Sequence, residues 1–225
     1  MRTQGARICI VDDHALFAES LQIALELEGH EVRRIPLPKA LHAAATLLPT
    51  VLRYKPDIML LDLDLGNADG AALIEPTTRA GTAVVVVTGS TDRARWGLCM
   101  RYGARKVLPK TGPLNDILAT IRRISEGRTV TTAEERDELV RFWQDERREV
   151  QELQERLARL TPRESAVLGM LMEGQQVRDI ATRSTVSEAT VRTQVKSILS
   201  KLEVTSQLAA VGLAHHAGWN APQSS

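Results

Sequence analysis

"IMLLDLDLG", residues 58–66, decides the fold. Four apolar residues run into Asp62 and, one residue further on, Asp64. A short apolar run bounded by polar and turn residues reads as a buried strand, which places the aspartates at its carboxyl end. Carboxylates there are costly unless they have partners or a chemical task.

Working outward, the same pattern repeats through the first 127 residues. "RICIV" (7–11) ends in Asp12-Asp13, "AVVVVTGS" (83–90) contains Thr88, and "KVLPK" (106–110) ends in Lys110. "EVRRI" (31–35) alternates weakly, as an edge strand does. Helix-like stretches separate these runs. In "HALFAESLQIALELEG", Leu16, Ser20, Ile23 and Leu27 fall at helical spacing, and Gly29 stops the pattern. "LHAAATLLPTVLRYKP" is helical in composition, with a kink or loop expected at Pro49. Further helices are expected over 71–79, "DRARWGLCMRYG" and 114–127. Five βα units imply a parallel sheet covered on both faces, with ligands at the carboxyl ends of its strands.

Asp12, Asp13, Asp62, Thr88 and Lys110 all stand at such ends. Three crowded carboxylates need a cation. Oxygen ligands suit Mg²⁺, which takes one or two carboxylates and keeps several waters. A threonine hydroxyl and a lysine ammonium suit a phosphoryl group. The set reads as a site that receives a phosphoryl group on an aspartate. His14 is read as a first-turn helix residue near a carboxylate rather than as a metal ligand.

The remaining chain is helical. Residues 133–160 lack Gly and Pro, and Leu139, Trp143, Glu146, Val150, Leu153, Leu157 and Leu160 recur at 3–4 spacing. One amphipathic helix packed on a neighbouring domain and a short dimerising coiled coil both fit this pattern. "TPRE" marks a helix start, with Thr161 as N-cap, Pro162 at the first position and Glu164 closing the box. After a second short helix and the turn "STVS", "SEATVRTQVKSILSKLEV" places Val191, Val195, Ile198 and Leu202 on one face. Arg192, Thr193, Lys196 and Ser200 fall opposite, as on a recognition helix.

These motifs carry a resemblance. "VDDH", "PDIMLLDLDLGNADG", "VVVVTGS" and "GARKVLPK" resemble the receiver domain of bacterial two-component response regulators. Residues 161–217 resemble the LuxR-type helix-turn-helix, and the two together resemble the NarL/FixJ class. The resemblance implies a doubly wound receiver with strand order 2-1-3-4-5 (residues 1–127), a helical linker (128–160), an all-α DNA-binding domain (161–217) and a tail (218–225). It makes Asp62 the phosphoacceptor. Asp12, Asp13 and Asp62 would hold Mg²⁺ together with the Asp64 backbone carbonyl, and Thr88 and Lys110 would bind the phosphoryl. Arg192, Thr193 and Lys196 would contact DNA. It implies a transcriptional regulator rather than an enzyme, with a histidine kinase and double-stranded DNA as partners and a weak or phosphorylation-dependent homodimer.

A DNA-binding regulator not controlled by phosphate is an alternative. A haloacid-dehalogenase-like phosphatase is another, since its motif is also four apolar residues and then D-x-D, with the second aspartate as acid. In such enzymes the acidic metal-binding pair follows the lysine. Here it precedes the D-x-D, and after Lys110 the one nearby acid is Asp116. The order favours the receiver.

Four positions depart from the usual pattern. Gly66 stands where proline is common, Val107 where an aromatic commonly rotates on activation, Gln194 where histidine is common, and Gln207 where arginine is common. Composition agrees with a cytoplasmic regulator. The net charge is +1, the two cysteines form no C-x-x-C, and neither a secretory signal nor a bilayer-length apolar run is present. Residues 161–225 carry 6 Lys/Arg against 5 Asp/Glu, too few to announce strong non-specific DNA affinity.

Overall fold

The computed structural model describes residues 5–38 and 42–221. The chain divides into two compact units, residues 1–144 and 145–225.

In the first unit, β1 (Arg7–Val11), β2 (Glu31–Arg34), β3 (Ile58–Leu61), β6 (Ala83–Thr88) and β7 (Lys106–Pro109) form a parallel sheet in the order β2-β1-β3-β6-β7. This is the expected doubly wound order once β4 (Asp64–Leu65) and β5 (Ala68–Asp69) are counted. These two short strands pair antiparallel in the loop after β3, where the sequence suggests only a turn. The central strands β3 and β6 are apolar throughout or nearly so because both faces are covered, whereas the edge strand β2 (EVRR) is largely exposed. Cys9, Val11, Met59, Leu61, Val84 and Val86 enter one core cluster. Their neighbours Ile8, Ile10, Ile58, Leu60, Val85 and Val87 enter the other. On the first face lie α2 (Leu48–Tyr54), α3 (Ile74–Arg79) and α4 (Arg93–Arg101). On the second lie α1 (Ala15–Leu27) and α5 (Leu114–Ser125).

Two local expectations are corrected. Pro49 does not interrupt a helix: a 3₁₀ turn, Ala44–Leu47, leads in, and Pro49 sits in the first turn of α2, where its missing N–H costs nothing. Leu41, placed in this helix by composition, lies outside the described residues. In α1 the helical spacing holds, but Ala18, Leu21 and Leu25 are buried, whereas Leu16, Ile23 and Leu27 are 81%, 54% and 84% exposed. The stripe picked out by spacing faces solvent.

The helix α6 (Ala133–Ala158) contributes its first half to one unit and its second half to the other. Leu139 is buried in the core of the first unit. Leu157 and Leu160 are buried in the core of the second, with Leu153 packed against it. Burying a leucine contributes roughly 1.5–3 kcal/mol, so these residues are committed within their own chain and do not form a free dimerising seam.

The second unit continues with α7 (Pro162–Met172), α8 (Val177–Arg183), α9 (Glu188–Leu202) and α10 (Gln207–His216). The capping box at Thr161 and Glu164 is formed in both directions. Val191, Val195, Ile198 and Leu202 of α9 are buried, as their spacing requires. Among the described residues no helix is long and apolar enough to cross a membrane.

Candidate functional site

Strand register brings the acidic residues together. Val11 pairs with Leu61 and Leu61 with Val86, so the residues that follow meet at the carboxyl edge of the sheet. Asp62 is 2% exposed. Its Oδ2 accepts a 2.6 Å hydrogen bond from Lys110 Nζ, and its Oδ1 accepts from the Asp64 backbone N–H at 3.3 Å. Lys110 also pairs with Asp12 at 2.8 Å. Burial pushes the Asp62 carboxyl up from its ordinary range, and the Lys110 ammonium opposes that shift. Burial likewise disfavours the Lys110 charge, but Asp12 and Asp62 outweigh it and raise the ammonium.

Thr88 is fully buried at the end of β6, and its backbone carbonyl accepts from the Lys110 N–H at 2.8 Å. Its hydroxyl oxygen accepts from the Ser90 N–H at 3.1 Å. Thr88 and Lys110 are thus neighbours on adjacent chain segments, as expected.

Asp12, Asp13, His14 and Asp62 offer one ligand atom each, all within 4.8 Å of one another. Three carboxylates against one lysine leave excess negative charge, and the oxygen donors fit a hard divalent cation. His14 stands near carboxylates at the start of a helix, as the sequence reading has it. It occupies the N-cap position of α1, and its Nδ1 lies 2.7 Å from Asp13 and 3.2 Å from Lys110 Nζ. Adjacency to the acid pair was the available signal.

Gly66, standing where proline is common, donates its N–H to Asp13 Oδ2 at 3.1 Å, from a φ of +66°. Proline could supply neither the N–H nor the left-handed backbone. Val107 is buried in the core of the first unit.

Asp64 is not in the acidic cluster. Its carboxylate pairs with Arg95 at 2.7 Å, and the same guanidinium reaches Asp69 at 3.0 Å and the Leu63 carbonyl at 3.1 Å. No local pattern reveals Arg95, since its partners lie 26 to 32 residues away.

In the second unit, Arg192, Thr193 and Lys196 are exposed on α9, opposite its buried face. Arg192 makes an exposed pair with Glu188, and Thr193 donates to the Ala189 carbonyl. Beneath them Glu164 accepts from Ser197 at 2.7 Å and Lys201 at 2.6 Å, tying α7 to α9. His215 and His216 are exposed, and Trp219 packs on the core of this unit. Trp96 donates to the Ser90 carbonyl, a structural contact.

Residues 8–122 match the family model "Response regulator receiver domain", and residues 158–214 match "Bacterial regulatory proteins, luxR family". The chain is 31% identical to the response regulator protein VraR of Staphylococcus epidermidis over 162 residues, covering 70% of this chain and 73% of VraR. It is 24% identical to the transcriptional regulatory protein YvfU of Bacillus subtilis, covering 95% of this chain and 98% of YvfU. A solved two-component response regulator of the LuxR family from Aurantimonas sp. SI85-9A1 superposes with a TM-score of 0.50 at 20% identity, over 64% of this chain and 98% of that one.

Proposed function

Since the chain belongs to the response regulators and carries a LuxR-type DNA-binding domain, we propose that its activity as a transcriptional regulator is controlled by phosphorylation of Asp62 by a partner histidine kinase. The observation that carries this reading is the placement of Asp62. It is a buried carboxylate with one oxygen on Lys110, the most buried member of an acidic cluster. A carboxylate so placed is a nucleophile whose attack on phosphorus would be assisted by the charge beside it.

In the transfer, an Asp62 oxygen bonds to phosphorus as the bond to the donor's imidazole nitrogen breaks, and the imidazole leaves. Lys110 and the Thr88 hydroxyl would hold the phosphoryl oxygens. The Ser90 N–H bond to Thr88 leaves that hydroxyl's proton free to donate. Mg²⁺, held by Asp12, Asp13 and Asp62 and by the Asp64 backbone carbonyl, would offset the phosphoryl charge. The exposed Leu16, Ile23 and Leu27 stripe of α1 begins two residues beyond His14 and gives a donor protein an apolar face beside the site.

DNA contact is assigned to Arg192, Thr193 and Lys196, in a cytoplasmic regulator that dimerises weakly or on phosphorylation. The domain limits fitting this reading are a receiver over 1–127, a helical linker over 128–160, a DNA-binding domain over 161–217 and a tail after it. Arg192→Ala tests the DNA surface. A base contact discriminates by about 1–3 kcal/mol, so affinity for a selected site should fall roughly 5- to 150-fold while non-specific binding changes little. Equal loss on all sequences would make Arg192 a phosphate contact.

A further inference from the structure

The function above uses only the backbone of Asp64. Its carboxylate is the second acid of a D-x-D pair whose first acid carries the phosphoryl group. A free carboxylate in that position is a general base for water. With one such base, the water oxygen attacks phosphorus, its proton passes to the Asp64 carboxylate, and the Asp62 oxygen–phosphorus bond breaks. The products are inorganic phosphate and the original Asp62 carboxylate. A chain that stores a phosphoryl signal has to suppress this step.

The contacts of Arg95 supply the means. Asp64 stands directly opposite Asp69 across the β4–β5 pair, a like-charge arrangement that destabilises an isolated ladder. Arg95 resolves it by placing one nitrogen on Asp64 and the other on Asp69 and the Leu63 carbonyl. The Arg95 side chain is 23% exposed, and the planar fork of its guanidinium fixes the direction of both carboxylates. Its own helix is anchored in turn. Asp92 caps α4 by accepting from the Ala94 and Arg95 N–H groups, and Ser90 and Asp92 link this cap back to Thr88. Asp64 is therefore drawn toward Asp69 and α4 and stands apart from the Asp12, Asp13, His14 and Asp62 cluster.

We propose that Arg95 is a positioning residue that holds the Asp64 carboxylate away from the phosphoryl group on Asp62 and so protects the phosphoaspartate from hydrolysis. The proposal rests on Asp62 being the phosphoacceptor.

The test uses the full chain, loaded with acetyl phosphate and Mg²⁺, desalted, and followed by intact mass as the adduct decays. Wild type and Asp64→Asn should decay at the same rate, because the carboxylate is already held out. Arg95→Gln should decay at least about tenfold faster, general-base assistance being worth ~10²–10⁴ at best placement. Arg95→Gln/Asp64→Asn should return to the wild-type rate, a rescue that a merely structural role of Arg95 would not give. The proposal is overturned if Arg95→Gln decays like wild type, if the double variant decays as fast as Arg95→Gln, or if Asp64→Asn alone slows decay. It is also overturned if neither Arg95 variant takes up the phosphoryl, since Arg95 would then serve the loop's structure. An adduct missing from wild type at the start would refute the phosphoacceptor reading instead.

Discussion

Glu164 separates what a single residue owes to its neighbours in sequence from what it owes to the fold. The capping box with Thr161 was legible, because it depends on three-residue spacing. The bonds from Ser197 and Lys201 were not, because they cross 33 and 37 residues. Burial works against the Glu164 charge. The bonds from Lys201, Ser197 and the Thr161 N–H outweigh it and bring the carboxyl down from 4.5 to about 2. A depressed carboxyl stabilises the fold above its unfolded pKa, and that contribution is lost as pH falls from about 4.5 toward 2. Glu164→Gln should therefore cost roughly 1.5–3 kcal/mol at pH 7, the range for hydrogen bonds to a charged group. It should cost progressively less as pH falls through that window. Urea melts of both proteins at pH 7 and pH 3 would check this, and an equal difference at the two pH values would contradict it. The same contrast holds at the candidate site. Asp12, Asp13, Asp62, Thr88 and Lys110 announced themselves by ending apolar runs. Arg95 and the Gly66 N–H act through contacts made only once the chain is folded.

Periodicity served well for the existence of helices and strands and less well for their faces. In α9 the apolar positions have one core to face, and Val191, Val195, Ile198 and Leu202 all enter it. In α1 apolar residues occur on more than one face, and the spacing alone picked the exposed set. In α6 two readings of one stripe were open, and burial of Leu139, Leu157 and Leu160 within their own units decides for packing. The contact of α4 with the first half of α6 depends on Gly97. A Cβ there would stand 2.0 Å from the Leu139 carbonyl oxygen, which is backbone and cannot swing aside. Around it Arg93 pairs with Glu138 and stacks on Phe142, and Arg101 stacks on Trp143. Overpacking of this kind costs about 1–3 kcal/mol. Gly97→Leu should accordingly release residues 133–144 from α4, seen as lost amide hydrogen-exchange protection in that stretch while β1 and β3 keep theirs. Unchanged protection over 133–144 would mean that the two helices are held by the flanking pairs alone.

Across the whole molecule, the proposed function joins an acidic site in the first unit to a polar-basic helix in the second. The strands and helices follow from short apolar runs and helical spacing, which is why they were legible, whereas the sheet order was implied only by the resemblance to receiver domains. Of the stripe Val150, Leu153, Leu157 and Leu160, Leu157 and Leu160 are buried in the core of their own unit and Leu153 packs against it. The proposed function depends on phosphoryl transfer to one carboxylate. The direct measurement is the intact mass of the full chain after incubation with Mg²⁺ and acetyl phosphate, with Asp62→Asn and Asp64→Asn beside it. One phosphoryl adduct on wild type and on Asp64→Asn, and none on Asp62→Asn, is the expected result. An adduct that persists in Asp62→Asn, or steady release of phosphate that Asp64→Asn abolishes, would contradict it.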